Sequence, residues 1–174
     1  MAKVKGMKKL NKKMTKLIRK ETGLAIRKVE LADLFEYNFV KDRIRFKITN
    51  ALEDEIFTSF IKARYEIDLS DDTAFLLSIL HEIGHRENNE DVDGAVYDFC
   101  IKEKEFIENK MQTADNLDDV INLEMRYFTL PDEILATDWA VAYLLENKVK
   151  CAKMYKKIQK YLQKFYKING IGAE

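Results

Sequence analysis

A chain of 174 residues, 47% hydrophobic and 34% charged, is long enough to bury one core of reasonable size and has the balance of a soluble, helix-rich globular protein. Its single proline and six glycines exclude a disordered linker or a turn-dense all-β sandwich, and the absence of any long apolar run excludes a membrane span. Net charge is zero but unevenly placed: residues 1–20 hold nine Lys or Arg and no acid, residues 146–174 hold eight Lys against Glu146 and Glu174, and residues 21–145 hold 13 basic and 28 acidic residues, a net of −15.

In chain order, Met7, Leu10, Met14, Leu17 and Ile18 form an apolar stripe at helical spacing, with the lysines on the other face and Gly23 as the stop. Such a helix packs its stripe and leaves its lysines solvated. The alternative use of those lysines is contact with nucleic acid or a protein partner. No apolar stretch follows the charged N-terminus, so it does not read as a secretory signal. Phe35, Tyr37 and Phe39, then Ile44, Phe46 and Ile48, alternate with other residues as the two strands of a hairpin. Asn50 with Glu53 resembles a helix start. Ala63 to Leu69 reads as a short edge strand with Tyr65, Ile67 and Leu69 on one face. Ser70, Asp71 and Asp72 offer caps for a helix beginning near Thr73. Beyond Asp93 and Gly94 the chain reads as helical over 95–111, 117–128, 131–147 and 149–167. The fold class is α+β, a small antiparallel sheet followed by a helix-rich half. It is expected to be one domain over 1–174 with basic helical segments at 1–22 and 148–168. Cys100 and Cys151 have no metal-like spacing and read as reduced, buried thiols of a cytoplasmic protein.

The chemistry concentrates in LSILHEIGHRENNED, Leu77 to Asp91, which holds both histidines of the chain. On a helix His81 and His85 point two imidazoles the same way, one turn apart. Zinc accepts such nitrogens and needs three protein ligands plus an open position to be catalytic. Glu82, next to His81, is set to face that open position and move a proton between activated water and a leaving amine. That is the mechanical content of H-E-x-x-H. The apolar run before the motif makes the helix a buried one. Gly84 inside it costs about 1 kcal/mol against alanine, which predicts a close backbone approach there. The bland reading has two core histidines satisfied by hydrogen bonds and Glu82 at the surface.

The third ligand has several candidates. Asp91 would serve if a turn at Asn88 brought the chain back, as in H-E-x-x-H-x-x-G-x-x-H/D. Glu133, in LPDEILATDWAVAYLLEN, opens a helix after Pro131, and Ala136 and Ala140 on its face allow close approach to the histidine helix. Glu133 is favoured; Glu124 and Asp138 are the remaining choices.

With HEIGH upstream and Glu133, Ala136, Trp139 and Ala140 downstream, the chain resembles the glutamate-zincin metallopeptidases, and among them the ImmA/IrrE-type proteins, over roughly residues 60–147. The resemblance implies a zincin-like fold, Zn²⁺ held by His81, His85 and Glu133, Glu82 as general base and then acid, and cleavage of an intracellular protein or peptide. Thr137 stands where the family has Asn or Asp beside a ligand histidine. The family also uses a further His or Tyr on the reacting carbonyl; with no third histidine here, Tyr127, Tyr143 and Tyr97 are the candidates. The expected function is a zinc metallopeptidase whose edge strand at Ala63 to Leu69 pairs with substrate. The alternative is a catalytically silent zincin-fold module that contacts nucleic acid or a protein through its basic ends.

Overall fold

Helix formation follows apolar spacing through most of the chain, and the computed structural model describes residues 5–47, 51–88 and 93–170. Seven helices and three strands are present among them, in the order α1 (Met7–Thr22), β1 (Lys28–Leu31), β2 (Glu36–Asn38), β3 (Arg43–Phe46), α2 (Ala51–Tyr65), α3 (Asp71–Glu87), α4 (Gly94–Met111), α5 (Leu117–Phe128), α6 (Pro131–Glu146) and α7 (Lys148–Asn169). The α+β class is as expected. The chain forms two compact units: residues 1–48 with 143–174, and residues 49–142. No helix of the described residues is long and apolar enough to cross a membrane.

In the first unit, α1 buries Leu10, Met14, Leu17 and Ile18 and ends on Gly23, whose φ of 79° lies in the left-handed region. The helix packs against β1 and α7. The expected hairpin is β2 with β3, antiparallel, pairing Tyr37 with Ile44. Ile48, placed at the end of its second strand, lies outside the described residues. The sheet is not purely antiparallel. β1, which pattern reading misses, lies parallel to β3 with Val29 opposite Ile44, giving the mixed order β1-β3-β2. Its outer edge is closed by side chains of α1: Asn11 Oδ1 accepts from Leu31 N–H (3.1 Å) and Thr15 Oγ1 from Val29 N–H (2.9 Å). Only Val29 of this strand is fully buried, and charged residues stand around it, so four residues show too little alternation to be seen. α7 completes the core with Cys151, Met154, Ile158, Leu162 and Phe165.

In the second unit α3 is buried on nearly every side, with Leu77, Ile79, Leu80 and Ile83 fully enclosed. The expected edge strand at Ala63 to Leu69 does not form. α2 runs through Tyr65 instead, and Glu66 takes a φ of 58° with its N–H on Lys62 O, a helix end that leads through a short extended link into α3. Tyr65, Ile67 and Leu69 alternate, but the continuing helix pattern of FTSFIKARY prevails over a strand with no partner. Asn50, read as the start of α2, lies outside the described residues. Ser70 occupies the cap position of α3, with its hydroxyl 2.9 Å from Thr73 Oγ1 and no bond to a backbone N–H. Asp93 and Asn116 cap α4 and α5, accepting from Ala95 and Asp119 N–H at 2.9 Å each.

Candidate metal centre

α3 and α6 meet without side chains between them. A Cβ on Gly84 would sit 2.2 Å from the backbone oxygen of Ala136 and 2.8 Å from its Cα. Glycine on one helix and alanine on the other therefore set the distance between the two backbones, and Ala136 and Ala140 are fully buried. Asn88 at the end of α3 adds a tie, donating from Nδ2 to Leu135 O at 2.9 Å.

This approach brings His81, His85 and Glu133 together. Each offers one ligand atom, all lying within 4.8 Å of one another. His81 Nε2 is 2.9 Å from Glu133 Oε2, and His85 Nε2 is 3.4 Å from Glu133 Oε1. His81 is 6% exposed and Glu133 3%. Two imidazole nitrogens and a carboxylate oxygen converging from a buried shell are a donor set that can hold a metal ion. Burial on its own would raise the pKa of Glu133, but His85 and His81 hold it well below the usual carboxylate range.

Thr137 orients the first ligand. Its hydroxyl donates to Glu133 O at 2.8 Å, so its oxygen accepts the Nδ1–H of His81 at 3.0 Å. That leaves Nε2 of His81 as the nitrogen presented to a metal. Thr137 thus positions the His81 ring through its hydroxyl. Phe57 of α2 stands edge-on to the His81 ring at 6.4 Å and meets Phe128 of α5, an apolar wall behind the histidine.

Glu82 is buried beside the cluster on the same helix. Of the other candidates, Asp138 accepts from Tyr65 O–H at 2.6 Å and Glu124 is not part of the donor group. Asp91 lies outside the described residues. Asn88, where its returning turn would begin, has a φ of −101°, not the left-handed geometry that turn needs. Tyr127 is the tyrosine whose surroundings include the centre: burial first, then the charges of Glu133 and Glu82, push its phenol upward, and Lys104 partly opposes them. It therefore stays a neutral donor. Tyr143 donates to Glu21 O at 2.9 Å within the first unit, and Tyr97 is half-buried on α4.

Sequence patterns alone do not single out Lys104 of α4. Its ammonium contacts both Asp132 Oδ2 and Glu133 Oε1. Burial would lower its pKa, but Glu133, Tyr127 and Asp132 hold it well above the usual lysine value. A signal is nevertheless present: Cys100 and Ile107, fully buried on α4, lie four residues before and three after Lys104, so the lysine falls on the apolar face of its helix. No family model, curated protein or solved structure matches this chain.

Proposed function

We propose that this protein is a zinc metallopeptidase in which His81, His85 and Glu133 hold the ion and Glu82 handles the proton. The observation that carries the reading is the convergence of both histidines and a fully buried glutamate from a distant helix, with a second carboxylate one residue after the first histidine. Two nitrogens and one oxygen suit Zn²⁺ and leave a position open. When bound, such an ion supplies Lewis acidity, bringing the pKa of a water towards about 7 and polarising a carbonyl.

The chain's own residues do the rest. Thr137 fixes the tautomer and ring angle of His81. Gly84 and Ala136 hold α6 close enough for a glutamate side chain to reach the histidines. Glu82, on the histidine helix, accepts a proton from the attacking water and passes it to the leaving amine. Tyr127, kept protonated by burial and neighbouring carboxylates, is the tyrosine this reading assigns as donor to the reacting carbonyl oxygen. The substrate class is a protein or peptide.

Zinc content after loading and washing, measured for the unaltered protein and for Glu133→Ala, tests the centre. Cleavage of a peptide library by the unaltered protein and Glu82→Gln tests the chemistry. The expected results are close to one zinc per chain, lost in Glu133→Ala, and cleavage abolished in Glu82→Gln with zinc retained. Full zinc retention in Glu133→Ala removes the third ligand. Undiminished cleavage by Glu82→Gln removes the proposed base. Zinc bound without any cleavage that depends on Glu82 reduces the centre to a structural one.

A further inference from the structure

The charge of the chain divides along its two units. The first holds 23 Lys and Arg against 7 Asp and Glu, a net +16, and the second holds 7 against 23, a net −16. Within the first unit the cations are ordered in rows. On α7, Lys153, Lys156, Lys160, Lys164 and Lys167 follow one another at three- and four-residue steps, and all are exposed. On α1, Lys9, Lys13, Lys16 and Lys20 follow at the same steps, Lys13 half-buried and the others exposed. Lys13 Nζ lies 4.8 Å over the ring of Tyr161, which joins the α1 lysines to α7 beside Lys160. The two helices run antiparallel, since Asn169 at the end of α7 donates to Lys5 O just before α1, and Lys157 in the middle of α7 pairs with Glu21 near the end of α1.

Like charges at these steps repel within a helix by a few tenths of a kcal/mol per pair, so the rows oppose folding slightly. Neither helix supplies acids to relieve them: α7 has none, and the one on α1, Glu21, is taken by Lys157. Five lysines along the α7 row cover about 21 Å at about 1.5 Å rise per residue, close to one per 5 Å. One strand of a duplex presents a phosphate about every 3.4 Å of axis, within the sweep of flexible lysine stems. A lipid surface would also attract the lysines, but an amphipathic helix adds an inserted apolar face, and Met154, Ile158, Leu162 and Phe165, the apolar face of α7, are buried in the unit's own core. A row made of lysine alone carries point charges and no bidentate fork for base edges.

We propose that the first unit binds double-stranded nucleic acid through its phosphates, with the α7 lysine row along the backbone and no preference for sequence. This is independent of the metal centre. Fluorescence anisotropy with a labelled DNA duplex of roughly 20 base pairs, long enough for a few dozen phosphates, tests it across a salt series. The logarithm of affinity should fall linearly with the logarithm of salt concentration. Glutamine at all five α7 positions keeps helix propensity, and retained thermal unfolding confirms that the variant folds. It should weaken binding at least tenfold and flatten the slope by about 4.5, near 0.9 for each phosphate no longer neutralised. Glutamine at Lys62 and Lys102 of the second unit should leave binding unchanged. No binding at about 50 mM salt, where phosphate contacts are strongest, overturns the proposal, as does an unchanged slope in the five-lysine variant. Preference for phosphatidylserine vesicles over duplex assigns the row to lipid and overturns it as well. Self-association that vanishes in the variant, without duplex binding, assigns the row to the acidic unit of a second copy and overturns it too.

Discussion

The two units place polar side chains in opposite ways. In the first, no charged residue among those described is fully buried; Glu30, Arg43 and Arg45 form a half-buried ion group on the sheet, and other inward polar groups serve backbone: Asn11 and Thr15 close the edge of β1, and Arg19 donates to Ile26 O and Arg27 O. In the second, charges are taken inside: Glu82, Asp132 and Glu133 are buried around two histidines, with Lys104 among them. A buried carboxylate is costly unless it is paired, and folding alone gives no reason to keep three of them together. The first unit is organised for its own stability and for its surface. The second takes on an electrostatic cost that His81, His85 and Lys104 offset through their contacts with Asp132 and Glu133.

The largest test of that contrast is Lys104→Met. Methionine keeps the unbranched stem and removes the charge that Asp132 and Glu133 share. Without metal the variant should lose about 3–5 kcal/mol, the usual consequence of leaving one side of a buried ion pair alone. Added zinc should restore much of the loss, because the ion replaces the missing positive charge, so zinc should also bind at least tenfold tighter than to the unaltered protein. Thermal unfolding with and without zinc reads both effects. A deficit that zinc does not reduce would detach Lys104 from the centre.

Gly84 and Gly23 sharpen the comparison at the level of backbone. Gly84→Ala drives a methyl into Ala136 backbone, where no flexible side chain can yield, and α6 must move away. The expected loss is about 3 kcal/mol, the upper end for overpacking, together with loss of zinc as Glu133 retreats. Gly23→Ala meets nothing within 4 Å; its difficulty is the φ of 79° alone. It should cost about 1 kcal/mol and leave zinc binding as it was. Equal effects on zinc from the two would mean that helix approach does not set the centre.

These positions also mark what the sequence made legible. Gly84 in a helix interior, the alanines after Glu133 and the paired histidines are local departures from propensity, and each points to the contact it makes. The helix boundaries of α5 and α6 follow from Asn116, Pro131 and the apolar spacing. Strands are harder to read. β1 is defined by its partner β3 and by Asn11 and Thr15 on a helix, none of which its own four residues announce. Ala63 to Leu69 alternates well enough for a strand but has no neighbour to bond. Lys104 is hidden because a lysine reads as surface until its place on the face of Cys100 and Ile107 is noticed. Tyr127 stands out from three candidates only once Glu133 and Glu82 are placed near it.

The finest comparison lies between two threonines with the same geometry. Thr15 and Thr137 each donate to the carbonyl four residues back in their own helix, both at 2.8 Å, and each accepts an N–H from another element. For Thr15 that donor is Val29 N–H of β1; for Thr137 it is Nδ1–H of His81. Valine at either position keeps the shape and removes the acceptor, at about 1 kcal/mol of stability or somewhat more for an unmet buried donor. The two substitutions should therefore look alike in unfolding and differ in zinc titration. Thr137→Val should weaken zinc about tenfold, because His81 loses the bond that selects its tautomer and holds its ring, and Thr15→Val should not change it. If Thr137→Val also left zinc affinity untouched, the threonine would belong to the helix alone, and the orientation of His81 would have to come from the packing of Phe57.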